Sequence, residues 1–287
     1  MVRFRNKFNM LIIDTETCFK NEHNGLIAEI GWTFGNVLDS SDTPTCRRYL
    51  VADTLLNPNY WLHTQKLKNV HESLVGFDEG ERVAYKPDSR YEEYLEQIQK
   101  LNRISKTDKV LCSWGFILDQ LTRDLSLVDC VGAYNMPFDL RAIQTTTKRF
   151  HHTHYGEIER LPHFCLMYMF ANHVINRNYF NKIDRLDEDE RRYFMSKSGK
   201  NLGYSAEIMA RFIEEDFGYV EKHRAKEDSL IEYELALYFL QNWKSTFFDT
   251  YLGKVGNVHW TAIRDRLTAK EKLIQHEINF GGEIDET

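Results

Sequence analysis

Apolar residues come in short runs over the first fifty positions and at helical spacing afterwards. Residues 10–15 begin Met10-Leu11-Ile12-Ile13 and are closed at once by Asp14, which predicts a short buried strand. A second such run spans 25–34 and a third 48–52. They follow one another too closely for helical crossovers, so the three predict a meander. Beyond them, apolar positions recur at three and four over 91–104 and 113–125, predicting helices. Residues 128–133 predict a fourth strand, which leads through Asn135-Met136-Pro137-Phe138 into a helix over 138–150. An extended piece at 163–166 opens a helix through 174. Residues 226–243 predict the last amphipathic helix of the core, and 260–276 a terminal one. Strands first, then alternating helix and strand, imply a three-layer α/β domain around a mixed sheet.

Composition narrows this picture. The chain has 287 residues, 42% of them apolar, which suits a globular core. No run approaches the roughly eighteen apolar residues of a membrane helix. The basic start, Met1 to Phe8, runs into an apolar stretch that Asp14 ends within a few residues, so it predicts a strand and not a signal peptide. Cys18, Cys46, Cys112, Cys130 and Cys165 are scattered and contain no CxxC, which fits reduced thiols in a cytoplasmic protein and no structural zinc site. The net charge of −6 speaks against a protein that coats nucleic acid by bulk electrostatics. It leaves room for a metal-dependent nuclease, which needs only a strand end to approach. Arg141, Lys148, Arg149, Lys197 and Lys200 read as solvated faces, and the histidines at 151, 152, 154 and 163 as exposed. The stretches 184–192 and 196–201 predict exposed loop or loop-flanked helix. No repeat or linker divides the chain.

Chemistry concentrates in three blocks. In Asp14-Thr15-Glu16 the acids are two apart at a strand end, so both carboxylates share one face while Thr15 points to the other. In the second block, Asn135-Met136-Pro137-Phe138-Asp139, Pro137 suits a first helical turn, Asn135 suits the cap before it, and Asp139 then sits in that first turn. The third block is His223-x4-Asp228, the only such pair in the chain; it places His223 on a loop and Asp228 at the start of an amphipathic helix. Gathered in space, the four acids would make a cage of hard oxygen ligands suited to magnesium or manganese.

These residues, in this order and context, resemble the DEDDh subgroup of 3′→5′ exonucleases, the family of polymerase proofreading subunits and ribonuclease T. The Asn135-x3-Asp139 string, with an aromatic just before the acid, matches the second motif. Two positions depart from the pattern. Tyr134 stands where many relatives carry histidine, and Cys165-Leu166-Met167 falls where relatives often carry an acid and a threonine.

The resemblance implies a ribonuclease H-like fold with a central mixed sheet of about five strands flanked by helices. It implies an exonuclease domain over residues 1–250 with long segments at 53–90 and 170–203, and a helical extension over 251–287. Asp14, Glu16, Asp139 and Asp228 would hold two Mg2+, or Mn2+ in their place, roughly 4 Å apart. His223 would be the general base, and nucleoside 5′-monophosphates the product. Thr15 and Glu16 would seat the terminal 3′-hydroxyl. Asn135 would contact the substrate, as would Phe19, either as a wedge against the terminal base or as a core residue. The partner is then nucleic acid with a free 3′ end, single-stranded DNA being favoured and no membrane involved. Two alternatives stay open: an RNA-directed 3′→5′ exoribonuclease, and a catalytically silent nucleic-acid-binding protein on the same fold. A homodimer is also open.

Overall fold

The computed structural model describes residues 7–18, 25–39, 41–56, 62–66, 83–87, 110–152, 156–195, 202–220 and 224–253. Phe19, His223 and the expected helices over 91–104 and 260–276 lie outside the described residues. The chain runs β1 (Asn9–Cys18), β2 (Leu26–Asn36), β3 (Thr45–Val51), α1 (Ala52–Leu55), β4 (Leu62–Lys66), β5 (Val83–Pro87) and β6 (Leu111–Cys112). It continues with α2 (Trp114–Leu125), β7 (Cys130–Ala133), α3 (Met136–Arg149), α4 (Gly156–Arg160), β8 (His163–Cys165) and α5 (Leu166–His173). Then come α6 (Arg177–Asp184), α7 (Glu188–Arg191), α8 (Ala206–Glu214) and α9 (Ala225–Thr246).

Six strands form one mixed sheet in the order β6-β3-β2-β1-β7-β8. The meander is there: β1, β2 and β3 pair antiparallel, while β7 lies parallel to β1, β8 to β7 and β6 to β3. This is the α/β architecture expected from the strand–helix pattern. The strand beyond the anticipated five is β6, whose two residues are too few to show a period. A separate antiparallel pair, β4 with β5, falls within the long 53–90 segment.

Alternation along β2 shows why helices cover both faces. Ala225 N donates to Glu29 (3.1 Å) and the hydroxyls of Thr33 and Ser229 lie 3.0 Å apart, so these odd positions meet α9. Trp32, between them in phase, points the other way, and its indole N–H donates to Asp124 of α2 at 2.8 Å. Met10 to Ile13 in β1 are fully buried, as expected of a central strand covered on both sides. Trp32, Trp114, Phe164, Phe170 and Phe239 are also enclosed. Each such side chain contributes about 1.5–3 kcal/mol by leaving water.

The 170–203 segment is part of this core and no mere appendage, for Tyr179, Phe180, Ile183 and Phe194 are all buried. Asn176 caps α6 by accepting from the N–H groups of Asn178 and Tyr179. The buried Arg211 guanidinium donates to the carbonyls of Tyr193 and Tyr219 and to Glu207, tying that segment to α8. The short α7 buries none of its residues, as the charge pattern predicts. Among the described residues no helix is long and apolar enough to cross a membrane.

Strand and helix backbone approach closely at Gly31. A Cβ there would stand 2.3 Å from the Ala225 carbonyl carbon and oxygen. The obstacle is backbone, so it cannot rotate away. Gly31→Ala is therefore expected to cost about 1–3 kcal/mol through overpacking, read as a lower denaturant midpoint. A wild-type midpoint would show that the start of α9 can yield.

Candidate functional site

Asp14 pairs across the sheet with Gly31, and Glu16 with Glu29, so both acids lie on the face that α9 covers. They sit just past the parallel β1–β7 pairing, which spans Met10 to Ile12. The register slips between Glu16 and Thr17, leaving Ala28 as the extra residue of β2. Beside that bulge the Ile27 N–H donates to the Thr146 hydroxyl of α3 at 3.0 Å, so the ladder bond lost there is replaced.

Because α9 begins against Gly31, Asp228 in its first turn reaches the same place. It is buried, and its Oδ2 accepts from the Arg224 N–H at 2.8 Å. Carboxylate oxygens of Asp14, Glu16 and Asp228 lie within 4.8 Å of one another. Asp139 arrives from α3. Its Oδ1 accepts from the Thr15 hydroxyl at 2.7 Å, with both residues buried. Thr15 thus points away from its two acidic neighbours, as the strand period predicts, and clamps the fourth acid. Asp139 stands beside the trio, near enough for its charge to act on Asp14, while its contact with Thr15 sets it apart.

One expectation needs correction. Asn135 does occupy the position before α3, but its side chain makes no capping hydrogen bond. Its backbone, at φ −123° and ψ 64°, is away from the extended geometry that aims a cap side chain at the helix. The helix begins instead with Met136 and Pro137, and the Asn135 carbonyl accepts from Phe138 N at 2.8 Å.

Two buried acids on elements of the site, Glu29 and Glu232, went unread in the sequence. Glu29 is fully buried and accepts from Arg48 at 2.8 and 3.2 Å and from Ala225 N at 3.1 Å. It anchors the start of α9 to β2. Glu232, one turn beyond Asp228, is also buried, and its Oε2 accepts from Tyr134 N at 2.8 Å. Both had a signal. Glu29 interrupts the apolar run of β2, and Glu232 falls in the α9 stripe with Ser229, Tyr233, Ala236 and Phe239. A further feature is Phe138, which is 39% exposed on the first turn of α3 and precedes Asp139 in sequence.

The electrostatics follow from this crowding. Asp14 is partly accessible as a residue, yet its Oδ2 is enclosed and has no hydrogen-bond partner among the described residues. Burial holds its carboxyl well above the usual range, and the charges of Glu232, Asp139, Glu16 and Asp228 push the same way. Burial likewise lifts Asp139 to about 7, against the pull of the Thr15 hydroxyl. An enclosed carboxylate oxygen without a donor is costly. A divalent cation would supply what it lacks, so this donor set fits hard metal ions.

No family model matches the chain, and no curated protein matches it. Among solved structures, it is similar to one titled "Crystal structure of cell-death related nuclease 4 (CRN-4)", at 11% identity and a TM-score of 0.46. That match covers 83% of this chain, and this chain spans 65% of that one. A likeness of this degree says nothing about the site, whose chemistry has to come from its own carboxylates.

Raised carboxyl pKa values make stability depend on pH. Below the usual value of 3.8, Asp139 is protonated folded or unfolded and carries no penalty. As pH rises from there to about 7, the unfolded form releases its proton more readily, so the fold loses stability. The metal-free protein is expected to melt progressively lower across that window, and added Mn2+ should restore it above the window. Asp139→Asn removes this charge together with its push on Asp14: the variant should melt higher near pH 8 and equally near pH 3. Equal melting of the two proteins at pH 8 would show that Asp139 bears no such penalty.

Proposed function

We propose that the protein is a metal-dependent 3′→5′ exonuclease. The observation that carries this reading is the enclosed Oδ2 of Asp14, set among carboxylates from β1, α3 and α9 that repel one another unless a cation lies between them. Asp14, Glu16, Asp139 and Asp228 would hold two Mg2+, with Mn2+ able to replace them. Bound there, the ions would lower the pKa of water and offset charge on the phosphate. The carboxylates fix that chemistry in place because each rides on a strand or on a helical first turn. His223, five residues before Asp228, would take the proton of the attacking water, a task that suits an imidazole because its unperturbed pKa lies near neutrality.

On the substrate side, Thr15 and Glu16 offer backbone to the terminal 3′-hydroxyl. The exposed ring of Phe138 offers a stacking face to a base, in addition to Phe19. Asn135, whose side chain does not cap α3, would contact the strand. Single-stranded DNA is the favoured substrate, with nucleoside 5′-monophosphates released. Cys112, Cys130 and Cys165 are buried and outside any disulfide, which suits a reducing, cytoplasmic setting.

Digestion of matched DNA and RNA oligonucleotides, labelled at either end, tests this in Mg2+, Mn2+ and EDTA. Mononucleotides should leave the 3′ end and none should appear in EDTA. Release from the 5′ end, or turnover undiminished by EDTA, would sink the reading. Faster loss of RNA would move the substrate to RNA, and binding without turnover would favour a silent protein.

Roles separate by substitution. Asp14→Ala or Asp139→Ala is expected to abolish turnover while leaving a folded protein, since removing one acid relieves repulsion. His223→Ala should lower turnover by about 10²–10⁴-fold with Mn2+ binding nearly unchanged, and should erase the rise of rate with pH near 6–7. A variant with normal turnover takes that residue off the list.

A further inference from the structure

Glu232 has no part in the four-acid pattern. It stands four residues after Asp228 on α9, on the stripe that meets the sheet. Its Oε2 accepts from Tyr134 N at 2.8 Å. Tyr134 joins the end of β7 to the turn that starts α3, and its carbonyl accepts from Met167 N at 2.9 Å. Its hydroxyl donates to the Tyr204 carbonyl at 2.7 Å. Glu232 therefore bridges the two elements that bring Asp228 and Asp139 to the site.

A neutral glutamine oxygen would accept the same N–H without burying a charge. A carboxylate in this place costs more in the metal-free fold, because it is a further buried negative charge one helical turn from the buried Asp228. That cost has a use only when cations are present. Resting on the metal-centre reading above, we propose that Glu232 is a positioning residue: it joins α9 to the β7–α3 turn and lends its charge to cation binding without being one of the ligands.

Glu232→Gln separates charge from bond, since the amide oxygen can keep the Tyr134 contact and the fold. Calorimetric titration with Mn2+ alone, no nucleic acid present, should show about 10–100-fold weaker binding than wild type, the range typical of partners behind the ligands. The metal-free variant should melt higher than wild type, and its rise on adding Mn2+ should be smaller. Turnover of Glu232→Gln should climb back as Mn2+ is raised, whereas Glu232→Ala, which loses the bond too, should turn over more slowly at saturation. Unchanged Mn2+ affinity in Glu232→Gln overturns the proposal. So does a loss of turnover at saturating metal as deep as that of Asp14→Ala, which would make Glu232 a ligand. Failure of the wild-type protein to bind Mn2+ removes the metal centre itself and this inference with it.

Discussion

Everything at the site depends on how closely α9 can approach β2. The helix begins against Gly31, where only a hydrogen fits between strand and Ala225 backbone. Glu29, two residues earlier on the same face, accepts from the Ala225 N–H and is itself held by Arg48. A carboxylate at a helix N-terminus also meets the positive end of its dipole. Arg48 offsets the charge that burial would otherwise penalise, which is why a fully enclosed glutamate is tolerable there. Steric allowance from glycine and attraction from glutamate thus act at one point. Asp228 follows three residues after Ala225, so it reaches the carboxylates of β1 with no loop between anchor and ligand.

The same compactness creates the site's electrostatic tension. Five carboxylates from three elements meet in a poorly solvated space, where Coulomb repulsion is several times stronger than in water. Hydrogen bonds offset only part of it: Thr15 donates to Asp139, the Arg224 N–H to Asp228 and the Tyr134 N–H to Glu232. Asp14 has no such donor at its enclosed Oδ2 among the described residues. The repulsion therefore falls in part on Asp14, which is carried by a central strand of the sheet. Strain of this kind is a pattern of functional sites, where stability is given up locally for a ligand that restores it.

Much of this was legible in the order of residues. That Asp14 and Glu16 share one face could be read because a strand's period of two is strict, and that Asp139 sits in a first turn because proline marks a helix start; their grouping as a site came from the resemblance. The six-stranded sheet was legible in its central strands, whose apolar runs are long; β6, with two residues, carries no period at all. What stayed hidden depends on contacts between segments far apart in sequence. Glu232 shows its place on the α9 stripe in the sequence, but its partner, the Tyr134 N–H, is known only from the fold. Asn135 reads as a cap because asparagine favours that position, but its backbone is set by the turn out of β7. Short helices such as α6 and α8 owe their burial to tertiary packing more than to a strong local signal.

The alternation of β1 gives the site its specificity of assembly. Asp14 and Glu16 face α9, while Thr15 faces the opposite way and holds Asp139 of α3. One strand therefore addresses helices from both layers with three consecutive residues. A slip of one position would exchange the faces, placing Thr15 towards Asp228 and both acids towards the apolar side that buries Trp32. The bulge at Ala28 makes such a slip harder, because Ile27 N is committed to Thr146 of α3 and not to the ladder. Register, helix docking and the gathering of the acids are thus a single constraint. A change that loosens one should be felt in the others before it is felt in the remote parts of the core.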